Sequence, residues 1–355
     1  MSSGSPRAGE QVVVVASAPG RDASGTVSLH RWAEGALVEA PLAVAAVDMP
    51  TWLQWSPDGH LLYVGSELDE GRVLTFAVSG EGSGEVGLEE LGSASTDGSG
   101  PCHFAFVPSG ESSRLVVANY RDGRVSVLDV DQDGVVGEVR ETTTLEGSGP
   151  VPERQWSSHP HMVVPGPEFD GFSVVDLGAD EIRSFRFGGA GLVEHAVSAL
   201  PPGTGPRQLI RVPGTDTAWL AGELSGTILH LREHAPGRFG VTGEWAASGR
   251  GGTNHVAHLA VDERRGLLHV SNRGPDTVST FDISTATPSL LSEVATGAGP
   301  RHFELQDEWL LVGGQSGDVV SVHALAPNGA PGVAVDVPVP APACVVSRPS
   351  TPLPV

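Results

Sequence analysis

The sequence predicts an all-β chain closed into a seven-bladed β-propeller, with the N- and C-terminal strands sharing one blade. Three observations carry this prediction. A unit of three short apolar runs separated by turns recurs six times. Its starts fall near residues 51, 101, 160, 206, 255 and 300, at intervals of 50, 59, 46, 49 and 45 residues. Gly and Pro, at 47 and 28 of 355 residues, make up 21% of the chain and lie between the apolar runs. The two chain ends each carry part of one further unit. Four-stranded repeats at such spacing mark propeller blades, and turn formers in this number exclude long helices.

The elements follow in order. Residues 1–10 are rich in Ser and Gly, lack the apolar core of a signal peptide and read as a flexible N-terminus. The runs 11–17 (QVVVVAS) and 26–32 (TVSLHRW) read as the second and third strands of a unit without its first. Six full units come next, among them 101–130 (PCHFAFVPSGESSRLVVANYRDGRVSVLDV) and 206–231 (PRQLIRVPGTDTAWLAGELSGTILHL). Each is followed by a variable stretch that can hold a fourth strand. The run 343–347 (ACVVS) reads as a first strand without successors. Joining the ends completes the seventh blade and removes open sheet edges. The result is one domain over 11–347 with a tail at 348–355.

Charge and cysteine content narrow the function. The net charge is −22, from 43 acidic and 21 basic residues, and every basic residue is Arg. A lysine Schiff base or a P-loop lysine is therefore excluded. So acidic a chain repels nucleic acid and anionic membranes, and no stretch is long and apolar enough for a membrane helix. The two cysteines, Cys102 and Cys344, sit in apolar runs and read as free thiols of a reducing cytoplasm. The expectation is a cytoplasmic protein, monomeric, with no cofactor and no bound metal.

Strand direction gathers the polar residues at one mouth of the central channel. The residues opening each inner strand and those closing the second strand meet at the same face. Inner-strand starts carry His103, His161, Arg207, His258, Arg301 and His302. Second-strand ends carry Glu67, Asn119, Tyr120, Asp176, Glu223, Asn272, Arg273 and Gln315. Asn119, Asp176 and Asn272 also precede Gly-containing turns, where such side chains commonly cap backbone. Several Arg beside His and carboxylates suit a small anionic molecule, because guanidinium offers a fixed donor fork to carboxylate or phosphate.

The strings PCHFAF…VVANYRDGRVSVLDVDQDG (101–134), HPHMVV…VVDLGADEIRSFRF (159–187), HVAHLAVDERRGLLHVSNRGPDTVSTF (255–281) and PRHFELQDEWLLVGGQSGDVVSV (300–322) resemble the lactonase family of seven-bladed propellers. That family includes propeller-type 6-phosphogluconolactonases and carboxy-cis,cis-muconate lactonizing enzymes, and the resemblance spans essentially the whole chain. It implies a catalytic group of His161, Arg207, Glu223 and Arg273. The substrate-binding candidates around it are His103, His258, Arg301, His302, Glu67, Asn119 and Gln315. Two positions depart from the family pattern: Gln208 stands where GPRH would place His, and Gly222 stands where Asn often precedes the Glu.

The implied activity is hydrolysis of a sugar-acid lactone such as 6-phosphogluconolactone, in the pentose phosphate pathway. Glu223 would act as general base, with His161 as its partner or as the acid for the leaving alkoxide. Arg207 and Arg273 would hold the anionic group and the developing oxyanion. The same residues also suit a muconate-type cycloisomerase, and the fold also serves non-catalytic binding of a small anion or a protein partner. Other motifs carry less. The calcium-like run from Asp129 to Gly134 has Arg140 where a loop glutamate belongs. His159-Pro160-His161 and His255-x-x-His258 lack further metal ligands at normal spacing. Cys102 and His103, as strand neighbours, are expected on opposite faces.

Overall fold

The apolar runs and their turns form seven antiparallel sheets, and each inner strand contacts the inner strand of the next sheet until the ring closes. This computed structural model describes residues 11–349, apart from 21–23, 34, 81–85, 111, 167–170, 190 and 286. The expected flexible segment at 1–10 and most of the expected tail lie outside the described residues.

Blade 1 joins the two ends: Pro342–Ser347 is its inner strand, followed outward by Gln11–Ser17 and Thr26–Ala33, with Ala36–Leu37 and Ala43–Ala46 both paired to the latter. Blades 2 to 7 have four strands each, in chain order from inside to outside. Their inner strands are Pro50–Trp55, Pro101–Ser109, Pro160–Pro165, Pro206–Arg211, His255–Asp262 and Pro300–Gln306. Arg348, expected in the tail, is part of the closure: its backbone N–H donates to Val12 and its Nε to the Gly59 carbonyl at 2.7 Å.

Burial follows position in the blade. Second strands are covered on both faces and read as continuous apolar runs, as in the fully buried Gly171–Asp176. Outermost strands face solvent on alternate residues, as in Val136–Thr144. The core is seven apolar layers, one between each pair of neighbouring blades. Phe172 and Phe185, for example, sit in the layer between blades 3 and 4. A positive-φ residue opens five of the seven inner strands. Gly100, Gly205 and Gly299 precede the first proline with φ near +60° (68°, 55° and 66°), whereas Met49 and Ala341 hold that conformation at 48° and 40° without being glycine.

Every blade carries a β-bulge at the start of its inner strand. In blade 5, Pro206 faces Gly222 but Gln208 faces Ala221, so Arg207 is the extra residue. The same shift leaves Thr51, Cys102, His161, Arg301 and Ala343 unpaired in their blades, and it falls at Ala257–His258 in blade 6. A bulge re-aims its side chain, and these seven positions line the central throat. The next residue along reaches the following blade. His103 Nδ1 accepts the Val163 N–H at 3.3 Å, Met162 Sδ accepts Leu209 N–H at 3.3 Å, Gln208 Oε1 accepts Leu259 N–H at 2.7 Å, and His302 Nδ1 accepts Val345 N–H at 3.4 Å.

Candidate active site

Glu223 follows the second strand of blade 5, Thr217–Gly222, where its N–H donates to the Gly205 carbonyl at 2.8 Å. Its side chain is buried, and three guanidiniums surround the carboxylate. Arg207 Nη1 lies 2.7 Å from Oε2, Arg273 Nη2 3.0 Å from Oε2 and Arg154 Nη2 2.8 Å from Oε1. The anchors differ. Arg207 sits on the blade 5 bulge and donates Nε to the Ala257 carbonyl at 3.1 Å; Arg273 closes the second strand of blade 6 and donates Nε to the His255 carbonyl at 3.2 Å. Burial by itself would raise the Glu223 carboxyl, but Arg207 and Arg273, with smaller help from His161 and Arg154, hold it well below the usual carboxylate range.

His161, on the blade 4 bulge, completes the group. Arg207 Nη1 donates to its Nε2 at 2.6 Å. Arginine has no acceptor, so that nitrogen carries the lone pair and Nδ1 the proton. Burial and then the Arg207 charge keep the imidazole well below its ordinary value of 6.5. Burial and Arg207 likewise push Arg273 down to about 10. Its buried Nη2 meets Glu223 as an ion pair but has no well-aligned hydrogen bond.

Two groups at this mouth carried no catalytic or substrate-binding assignment from sequence. Arg154 lies in the connection between blades 3 and 4, and its Nη2 also donates to the Tyr120 hydroxyl at 3.2 Å. Tyr120 stacks on His159 with centroids 4.7 Å apart, and Trp156, 61% exposed, meets His159 edge-on at 4.5 Å. His159 donates Nδ1 to the Tyr120 carbonyl at 2.7 Å. The one sequence signal for this wall was the 59-residue interval before blade 4, the longest of the series.

The remaining candidates separate into groups. Arg301 meets Glu67 across the mouth at 3.4 Å, and Arg121 meets the same carboxylate at 3.6 Å. Gln315 donates to the Ala18 carbonyl at 3.1 Å and ties blade 7 to blade 1. His103, His258 and His302 lie in the throat together with Arg207 and Arg301. Asn119 is a correction: it is fully buried and donates Nδ2 to the Arg124 carbonyl and Ser126 hydroxyl of its own blade, which turns it away from the mouth. Asp176 and Asn272 are local ties of the same kind. Cys102 and His103 both line the throat, contrary to strand alternation, because the bulge breaks the alternation between them. Burial pushes the Cys102 thiol up to about 12, so it is inert as a nucleophile.

The calcium-like run is a turn: Asp131 accepts the N–H groups of Asp133 and Val135, and Asp129 pairs with Arg140. Among the described residues, no group of three or more His, Cys, Asp or Glu is arranged to hold a metal. Among the described residues, no helix is long and apolar enough to cross a membrane.

The family model described as lactonase, 7-bladed beta-propeller, matches residues 13–347. The chain belongs to the lactonase family. Among curated relatives, a 6-phosphogluconolactonase of Bacillus subtilis is 28% identical over 292 residues, covering 79% of this chain and 80% of the relative. One of Formosa agariphila is 27% identical over 283 residues, covering 75% and 78%. Among solved structures, a periplasmic gluconolactonase of Pseudomonas aeruginosa superposes with a TM-score of 0.83 at 26% identity, covering 96% of this chain and 99% of that one. In this member of the lactonase family, the mouth sets five arginines (Arg121, Arg154, Arg207, Arg273 and Arg301) against three carboxylates, Glu67, Asp69 and Glu223. On a chain of net charge −22, that local excess of positive charge draws anions to one place.

Proposed function

We propose that the chain hydrolyses a sugar-acid lactone bearing an anionic group, such as 6-phosphogluconolactone. The observation that supports this most is the Glu223 carboxylate held by three guanidiniums beside neutral His161. Both oxygens of Glu223 are engaged and its proton affinity is depressed, so it serves as the anchor of the arginines. This changes the general-base role expected for it from sequence.

His161 is then the proton carrier. Water attacks the lactone carbonyl carbon, and Nε2 of His161, freed as the Arg207 guanidinium turns from it to the carbonyl oxygen, accepts the proton that the water loses. The tetrahedral oxyanion is stabilised by Arg207 and Arg273, whose charges Glu223 holds at the site before the reaction. The ring C–O bond breaks as the imidazolium returns its proton to the leaving alkoxide. The products are a carboxylate and a hydroxyl group, and His161 is neutral again. Arg154, the partly exposed guanidinium of this group, suits the substrate's own anionic arm.

Hydrolysis of freshly prepared 6-phosphogluconolactone tests the reading, corrected for spontaneous opening and run with and without chelator. Chelator-insensitive acceleration is expected. No acceleration would reject this substrate, and turnover of a muconate dicarboxylate in its place would establish the cycloisomerase.

A further inference from the structure

Beneath the Glu223 cluster the bulged residues enclose a small throat of about 20 Å³. Its described lining holds the guanidiniums of Arg207 and Arg301, four imidazoles and no carboxylate. Three of those imidazoles have their tautomer fixed by the fold. Nδ1 of His103 accepts the Val163 N–H and Nδ1 of His302 accepts the Val345 N–H. Gln208 gives its Oε1 to Leu259, so the group 2.7 Å from His258 Nδ1 is its amide NH₂, a donor. With Nδ1 accepting in each ring, the proton sits on Nε2.

None of the three Nε2–H groups has a hydrogen-bond partner among the described residues, and all three rings line the cavity. Trp52, which stacks on His103 at 4.1 Å and also lines the throat, has a buried indole N–H without a partner. Burial holds His103 and His302 at about 3, so the rings stay neutral and keep one acceptor for the blade and one donor for the cavity. A buried space edged by unanswered donors and two cations calls for negative charge. Its volume admits about one water-sized particle, since roughly 10–15 Å³ on this measure is needed per water. A phosphate or carboxylate group is larger than that.

We propose that the throat binds one small monovalent anion of halide size, held by the Nε2–H groups of His103, His258 and His302 and by the guanidiniums of Arg207 and Arg301. The anion would supply the negative charge that the arginines lack on their throat side. It would also keep the substrate's bulkier anionic arm out of the channel and at the mouth.

Bromide is the probe. In crystals of the full chain grown with bromide in place of chloride, anomalous scattering should give a peak in the throat beside Arg301 and the imidazoles. The peak should be absent in Arg301→Gln. In solution, thermal unfolding is compared at equal ionic strength in sodium chloride and sodium methanesulfonate, whose anion is too large for the cavity. The wild-type Tm should be about 1–3 °C higher in chloride, and the difference should vanish in the variant. If Arg301→Gln does not fold, His258→Phe removes one donor and keeps a ring against His302. A throat without a bromide peak, with equal Tm in the two salts, overturns the proposal. So does a peak that the variant leaves unchanged. No lactone is present, so the outcome is independent of the hydrolysis assay.

Discussion

Arg154 reaches from the connection between blades 3 and 4 to place Nη2 2.8 Å from Oε1 of Glu223 in blade 5. The contact joins a surface loop to a buried carboxylate, and it makes the wall of the site part of its charge balance. Arg154→Ala should therefore raise KM for an anionic lactone by about tenfold, the loss of one charge-assisted contact. Its side chain is 36% exposed, so Tm should hold. Steady-state kinetics with a phosphorylated and an uncharged lactone check this, and equal losses for both substrates would argue against an anion contact. Trp156 on the same loop should report binding as a fluorescence change that Trp156→Phe abolishes.

Glu223→Gln keeps the shape of the site and removes the negative charge shared by three guanidiniums. The expected loss in kcat/KM is about 10²–10³, typical of disrupted electrostatic stabilisation. Stability should fall as well, by about 3–5 kcal/mol, because buried cations lose their partner. Denaturant melts and kinetics on one preparation separate the two effects. Unchanged stability would mean that the arginines do not depend on Glu223.

Under the proposed mechanism, His161 gives the activity its pH dependence. Its imidazole titrates well below 6.5, and that mechanism needs the neutral ring. The acid limb of kcat/KM should accordingly fall below pH 6.5. His161→Asn should lose about 10²–10⁴ in kcat and the limb with it. A limb that survives in the variant would assign the titrating group elsewhere.

Stability should fall in acid for a reason built into the blades. His103 and His302 titrate at about 3 and His269 at about 4 in the fold, against 6.5 unfolded, because burial favours the neutral ring. The unfolded chain then binds more protons than the folded one between those values. The stabilisation is complete above pH 6.5 and is lost as pH falls toward 3. His103→Gln keeps an acceptor for Val163, as Gln208 does for Leu259, and removes one titrating group. Urea melts from pH 7 to pH 4 should show a shallower decline in the variant.

Much of this was legible in the sequence. The repeat spacing, the Gly and Pro turns and the complementary ends sufficed for seven blades, because each blade is built from local antiparallel hairpins. The convergence of His161, Arg207, Glu223 and Arg273 followed from strand direction. Asn119 was misplaced because a polar residue at a strand end serves equally as a cap or a ligand, and one χ1 choice decides which. The Arg154 wall was invisible because a connecting loop has no periodicity to say where it folds back.

By itself, then, the sequence determined the architecture and the mouth at which the chemistry gathers, since both rest on contacts between residues close along the chain. Tertiary structure decided which side chains face the axis. Seven bulges turn Arg207, His161 and their counterparts inward and pass the next residue to the neighbouring blade. A bulge depends on how two strands register inside a closed ring, and no residue of either strand specifies it alone.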